Sequence, residues 1–282
     1  MANLHDSHPI AAAFARARAE GRVALIPYVM AGYPDLPTSE EVAVALCAAG
    51  ADVLELGVPF SDPLADGVTI QAAAQRALEG GMSLAGALAL AARVSARVQT
   101  PLVLMGCYNP LYSYGVERFC RSASEANVAG LIVPDLPLEE AQPLRDAAAA
   151  AGIELIFLVA PTSPDARIAR VARVAGQTGG GFLYCVSLSG VTGARTSLPE
   201  HLASFVQRVR AHTSLPLAVG FGVSRAAHVA EIGRVADGAA VGSALLNAVD
   251  AAPPAERVAA AVEFLRGLQA GAQIGAPMTP GE

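Results

Sequence analysis

Residues 52–67 read DVLELGVPFSDPLADG, and the rest of the chain is read outward from them. From Val53 to Leu56 the period of two turns Val53 and Glu55 to one side and the two leucines to the other, with Gly57 closing the run. Glu55 therefore stands at the carboxyl end of a short strand and points inward, where a valine would have packed. A glutamate buried without a partner is costly, so its presence marks a functional site. Asp66 lies across the loop, just before Gly67 and Val68. That is also a helix-start position, so a capping role and a chemical one both fit it.

The same strand-then-helix unit recurs along the chain. Apolar β-rich runs fall at 24–29, 53–56, 102–106, 131–133, 154–158, 182–186, 217–219 and 238–241. Amphipathic segments fall at 10–19, 38–49, 68–78, 116–126, 138–150, 164–175, 199–211, 224–233 and 254–269. Gly50 and Gly152 are placed to end helices in the left-handed conformation, and Pro101 and Pro216 lead into strands where a missing N–H costs least. Eight such units predict an α/β fold, a (β/α)8 TIM barrel with an extra N-terminal helix, and an active site at the carboxyl ends of the strands. Residues 1–270 are expected to form one barrel domain and 271–282, rich in Gly and Pro, a disordered tail.

Composition limits the chemistry. The chain has 282 residues, is 53% hydrophobic and 16% charged, carries a net charge of −6 and has no Trp. The acidic balance argues against nucleic acid as main partner. Residues 1–9 lack a signal peptide's basic start and apolar run, and the Ala-rich segment 83–98 is broken by Arg93 and Arg97, so a cytoplasmic protein without a membrane span is expected. Cys47, Cys107, Cys120 and Cys185 show no short-range pairing, which fits reduced core thiols. All 19 basic residues are arginines. Without lysine no imine can form on a lysine side chain, which removes lysine-dependent aldolase chemistry and covalently held pyridoxal phosphate. The five histidines show no ligand spacing, so no metal is expected.

Glycines cluster after the later strands. GVTG at 190–193 lies in the long loop 187–198, GFG at 220–222 follows the seventh strand, and Gly242 with Ser243 opens a helix after the eighth. Such positions let backbone N–H groups approach an anion, and a helix N-terminus adds its dipole. Gly193, Gly222, Gly242 and Ser243 are thus the candidate phosphate cradle.

Along essentially the whole barrel the sequence resembles the tryptophan synthase alpha chain family. The resemblance rests on PYVMAGYPD at 27–35, LELGVPFSDPLADG, LMGCYNPLYSYG, LIVPDLPLEE, SGVTG, GFGVS and GSAL at 242–245. It implies retro-aldol cleavage of indole-3-glycerol phosphate to indole and glyceraldehyde 3-phosphate. By this resemblance Glu55 and Asp66 are the catalytic pair and Tyr184 lies beside them. Tyr28, Leu104, Leu131 and Phe221 fall where the family lines its indole pocket. The resemblance also implies a beta chain partner in an alpha2-beta2 heterotetramer, with pyridoxal phosphate in the beta chain and no cofactor in this one. The sequence departs from the family at Val68, where a proline is common, and at Leu188, where many members carry a basic residue. Tyr33, where some members have Asp, is ordinary variation.

The chemistry agrees independently. Breaking a carbon–carbon bond needs an electron sink, and an indole protonated at C3 is one. Glu55 can donate that proton and then take one from the substrate hydroxyl, while an ionised Asp66 accepts the indole N–H. Other readings are a stand-alone indole-releasing lyase, a non-catalytic partner that activates the beta chain, and another sugar-phosphate barrel enzyme. Asp62 and Asp135 read as turn formers or partner-facing residues.

Overall fold

The computed structural model describes residues 8–63, 66–177, 181–186, 201–220 and 222–273. Its strands are β1 (Ala24–Met30), β2 (Leu54–Gly57), β3 (Leu102–Met105), β4 (Val128–Ile132), β5 (Glu154–Ile156), β6 (Leu158–Val159), β7 (Leu183–Val186), β8 (Leu217–Gly220) and β9 (Gly238–Val241). All named pairs are parallel, in the order β5-β4-β3-β2-β1-β9-β8-β7-β6. The two ends of that order are separated only by Phe157, whose carbonyl accepts the Tyr184 N–H at 3.0 Å. β5 and β6 are therefore two parts of one stave, and the nine segments close into the expected eight-stave barrel.

The helices are α1 (Pro9–Ala19), α2 (Leu36–Ala48), α3 (Val68–Glu79), α4 (Leu84–Ser95), α5 (Tyr108–Tyr114), α6 (Val116–Glu125), α7 (Gln142–Ala150), α8 (Asp165–Gln177), α9 (Leu202–Arg210), α10 (Ala226–Ile232), α11 (Ser243–Ala251) and α12 (Arg257–Ala272). No single described helix is long and apolar enough to cross a membrane. Gly50 and Gly152 have φ of 102° and 71° after α2 and α7, as expected.

Several boundaries differ from the sequence reading. α4 occupies the Ala-rich segment 83–98, to which the periodicity assigned no element; the Ser83 hydroxyl accepts the Gly86 N–H at 3.1 Å and starts it. α7 begins at Gln142 rather than Leu138, because Pro143 fits a first turn but not a helix interior. β4 starts at Val128, three residues early. Gly130 looks like a break, yet it lies inside the strand, where a Cβ would run into Ile10 and Ile156. The end of the chain is ordered further than expected: α12 runs to Ala272, whose carbonyl accepts the Val23 N–H at 2.9 Å, and Gln273 bridges Arg22. Residues 274–282 lie outside the described residues.

Alternation along the staves builds two apolar layers. Inside the barrel are Ile26, Val53, Val103, Ile132, Ile156, Phe182, Ala218 and Ala240. Between barrel and helices are Leu54, Leu56, Leu102, Leu104, Leu131, Leu155, Leu183 and Leu217. Helix α1 plugs the amino-terminal end of the barrel with Ile10, Ala13, Phe14 and Ala17, and the Phe14 ring sits 5.3 Å from that of Phe182. At this end Asp52 is tied down, whereas the two oxygens of the buried Glu154 have no hydrogen bond of good geometry among the described residues. Asp52 receives two hydrogen bonds from Arg22, at 2.6 and 2.8 Å, and one from the Leu25 N–H. His8 Nδ1 lies 3.0 Å from the buried Glu154. With that end closed, the open volume is left at the carboxyl ends of the strands.

Candidate active site

That volume is a cavity of about 450 Å³, lined among others by Tyr28, Glu55, Asp66, Met105, Tyr184 and Ser243. Glu55 enters it from β2. Its register partners are Tyr28 on β1 and Val103 on β3, so its side chain takes the inner face as alternation requires. The residue is 1% exposed, and neither Oε atom has a hydrogen-bond partner among the described residues. Burial, and then the charge of Asp66, push its carboxyl up to about 8.

Asp66 closes the cavity from the loop before α3. Its N–H donates to Pro63 O at 3.0 Å, and Gln71 Nε2 donates to its carbonyl at 2.9 Å, so the backbone is held while the carboxylate is left for the cavity. The N-cap of α3 is Gly67, with no side-chain cap; capping, which the sequence allows, is not the role of Asp66. Partial burial, and then the charge of Asp135, raise its carboxyl to about 6. Asp135, which reads in the sequence as a turn former or partner-facing residue, accepts the Tyr108 N–H with both oxygens, at 2.9 and 3.1 Å. It thereby caps α5, a helix for which the sequence pattern carries no clear signal. Val68, in place of the common proline, still opens α3 and is 61% exposed.

Two tyrosines flank Glu55 by the same device. Tyr28 stands beside Glu55 in register, and its ring leans one rung toward the mouth, over Gly57 of the next strand. Tyr184 likewise leans over Gly220, the glycine of its own neighbouring strand. A Cβ at either glycine would collide with the tyrosine hydroxyl, so both positions need the bare backbone. Both hydroxyls are held well above their usual titration range, first by burial and also by the nearby carboxylates.

After β8, which with β9 lies between the two tyrosine-bearing strands β1 and β7, Gly222 has φ of 73°, a conformation that favours glycine, and open space where a side chain would be. Gly242 and Ser243 open α11 without a side-chain cap. Gly222, Gly242 and Ser243 line the same cavity, and N–H groups at a helix start are the kind of donors that suit an anion. Gly193 and Phe221, and also Leu188 in the 187–198 loop, lie outside the described residues. Two candidates are corrected. Leu104 and Leu131 are fully buried in the layer under the helices and do not line the cavity. The inward residues on β3 and β4 are their neighbours Met105, which lines the cavity, and Ile132, which packs in the barrel interior. A shift of one residue along a strand changes its face; counting in twos from Glu55 through the register would have selected Met105. Ile70, Leu158 and Val186, which sequence reasoning missed, add apolar wall. Among the described residues, no three His, Cys, Asp or Glu side chains are grouped to hold a metal ion, and the four cysteines are free.

A family model described as tryptophan synthase alpha chain matches residues 14–273. The chain is 55% identical over 261 residues to the tryptophan synthase alpha chain of Roseiflexus sp. (strain RS-1), covering 92% of this chain and 98% of the relative. It is 53% identical over 260 residues to that of Chloroflexus aurantiacus, covering 92% and 96%. Among solved structures it superposes on a chain of Mycobacterium tuberculosis tryptophan synthase with a TM-score of 0.86 at 38% identity, covering 94% of this chain and 98% of that one. Tryptophan synthase subunit alpha from Legionella pneumophila gives 0.85 at 34%, with coverage of 94% and 98%.

The raised Glu55 carboxyl has a consequence for stability. The folded chain holds this proton between pH 4.5 and about 8, where the unfolded chain has released it, so stability falls as pH rises through that window. Glu55→Gln has no proton to lose. Its stability relative to the wild type, measured by urea unfolding at several pH values, is expected to increase steadily from pH 4.5 to 8. A pH-independent difference would mean an ordinary, solvated carboxyl.

Proposed function

The chain belongs to the tryptophan synthase alpha chain family, lyases of tryptophan biosynthesis, and we propose that Glu55 and Asp66 carry its retro-aldol cleavage of indole-3-glycerol phosphate to indole and glyceraldehyde 3-phosphate. One observation supports this assignment most directly. The two carboxyls meet at one cavity with titrations displaced to about 8 and about 6, so near neutral pH one is an acid and the other an anion.

Protonated Glu55 gives its proton to C3 of the indole. The positive charge that results is delocalised onto the ring nitrogen, whose N–H the Asp66 carboxylate accepts. The Glu55 carboxylate then takes the proton of the hydroxyl on the carbon attached to C3. The O–H electrons form the aldehyde, the bond from C3 breaks, and its electron pair restores neutral indole. Glu55 ends protonated, as it began. Tyr184 packs beside Glu55 and helps to fix it. Tyr28, Ile70, Met105 and Leu158 offer apolar wall to the indole, and the backbone at Gly222, Gly242 and Ser243 receives the phosphate. The barrel acts as one functional domain around this cavity.

The family implies a beta chain partner. Indole is small, apolar and neutral, so a cell that makes it as an intermediate benefits from direct transfer. This chain has no lysine to hold pyridoxal phosphate as an imine, so that cofactor and the consumption of indole fall to the beta chain, in an alpha2-beta2 assembly in the cytoplasm.

Three outcomes test these assignments. Incubation with indole-3-glycerol phosphate releases indole, with a rate that rises as Asp66 ionises near pH 6 and falls as Glu55 loses its proton near pH 8; Glu55→Gln lowers it by roughly 10²- to 10⁴-fold with substrate binding retained. Turnover of that variant within a few-fold of wild type would remove Glu55 from the mechanism. Ser243→Asp, at a helix start that tolerates a carboxylate, keeps the fold but raises KM about tenfold or more by repelling the phosphate; an unchanged KM would place the phosphate elsewhere. Titration with beta chain raises the cleavage rate and yields a complex in sedimentation. No complex and no activation would leave a stand-alone lyase.

A further inference from the structure

Two buried polar groups in the cavity lack adequate partners among the described residues, and they belong to adjacent strands. Glu55 has no donor to either Oε. The buried Tyr28 hydroxyl has one hydrogen-bonding neighbour among the described residues, Met30 Sδ at 3.9 Å, and a thioether sulfur is a weak acceptor. Tyr28 and Glu55 are register partners, so their backbones are one strand spacing apart, ~4.8 Å, and both side chains leave the same face. The lean of the Tyr28 ring over Gly57 then sets its hydroxyl one rung above Glu55, on the mouth side, where the carboxyl must reach to meet substrate. The groups that bear electrostatically on this hydroxyl are Asp66 from the loop before α3, Glu55 from β2, Tyr184 from β7 and Cys107 after β3. No cation is among them. A phenylalanine would fill the same wall without burying an oxygen beside two carboxylates.

We infer that Tyr28 is a positioning residue for Glu55: its hydroxyl accepts a hydrogen bond from the protonated carboxyl and donates one to the carboxylate left when that proton has gone to substrate. Tyr28 keeps its own proton throughout; the proton that moves passes from Glu55 to the substrate carbon and back from the substrate hydroxyl. The hydroxyl can serve both states because a phenol is donor and acceptor at once, whereas a cation could pair only with the carboxylate. The inference rests on Glu55 being the acid–base group of the proposed reaction.

The test is Tyr28→Phe, with its fold checked by circular dichroism and thermal unfolding. Expected are a KM within about twofold of wild type, a kcat lower by about tenfold or more, and an alkaline limb moved to higher pH, because the carboxylate has lost its donor. The same displacement is read without turnover from the carboxyl ¹³C signal of Glu55 in glutamate-labelled protein, assigned by its absence in Glu55→Gln. An unmoved Glu55 midpoint overturns the inference whatever happens to kcat, and so does a rise in KM alone, which would mean that Tyr28 touches only substrate. A second variant, Met30→Leu, removes the competing acceptor at similar volume and is expected to hold the midpoint at or below its wild-type value; a rise overturns the inference. If Glu55→Gln were fully active, the reaction assignment would fail, and the ¹³C midpoint would still decide whether Tyr28 and Glu55 are coupled.

Discussion

The structure of the site depends on one costly arrangement, a carboxyl group buried at the end of β2 with no hydrogen-bond donor among the described residues. An ionised carboxylate there would be strongly disfavoured, so the group keeps its proton up to about pH 8. The same desolvation that weakens the fold at alkaline pH keeps this carboxyl protonated at neutral pH. Asp66, less buried and reached by the loop rather than by a strand, stays an anion above about pH 6. The barrel thus separates two chemically similar side chains by giving them different access to water.

The backbone around Glu55 is shaped to leave this carboxyl room. Gly57 and Gly220 give up their side chains so that Tyr28 and Tyr184 can lean over them, each ring covering the inner wall near the carboxyl. Both rings are buried and both carry a hydroxyl, so this part of the wall is largely apolar without being wholly so. At the other end α1 fills the barrel with Ile10 and Phe14. A floor filled by α1 leaves the described cavity at the carboxyl ends of the strands.

Asp135 shows how a residue outside the wall of the main cavity can act on a carboxyl inside it. Held by the Tyr108 N–H at the start of α5, it presents a fixed negative charge toward Asp66 and raises its titration. Its sequence context, Asp followed by Leu-Pro, suggests a turn, and locally it behaves as one. Its electrostatic effect follows from the approach of the β4 and β2 loops, which are distant in sequence.

Much of this protein is legible in its sequence. Alternation in VLELG turns Glu55 inward, apolar runs separated by amphipathic segments specify the barrel, and the absence of lysine removes lysine imine chemistry on composition alone. These are properties of short windows or of residue inventory, and strand period acts locally. The sequence by itself did not decide that Leu104 and Leu131 face the helices while Met105 faces the cavity, that β4 continues back through Gly130, that α12 reaches Ala272 to bond Val23, or that Asp66 leaves the cap of α3 to Gly67. Nor did it carry the titration of Glu55 and Asp66 or the register that pairs Tyr28 with Glu55. Which of two neighbours faces inward depends on register with other strands. The ionisation of a carboxyl depends on how much water and which charges distant segments leave around it, and both are settled only when the barrel closes.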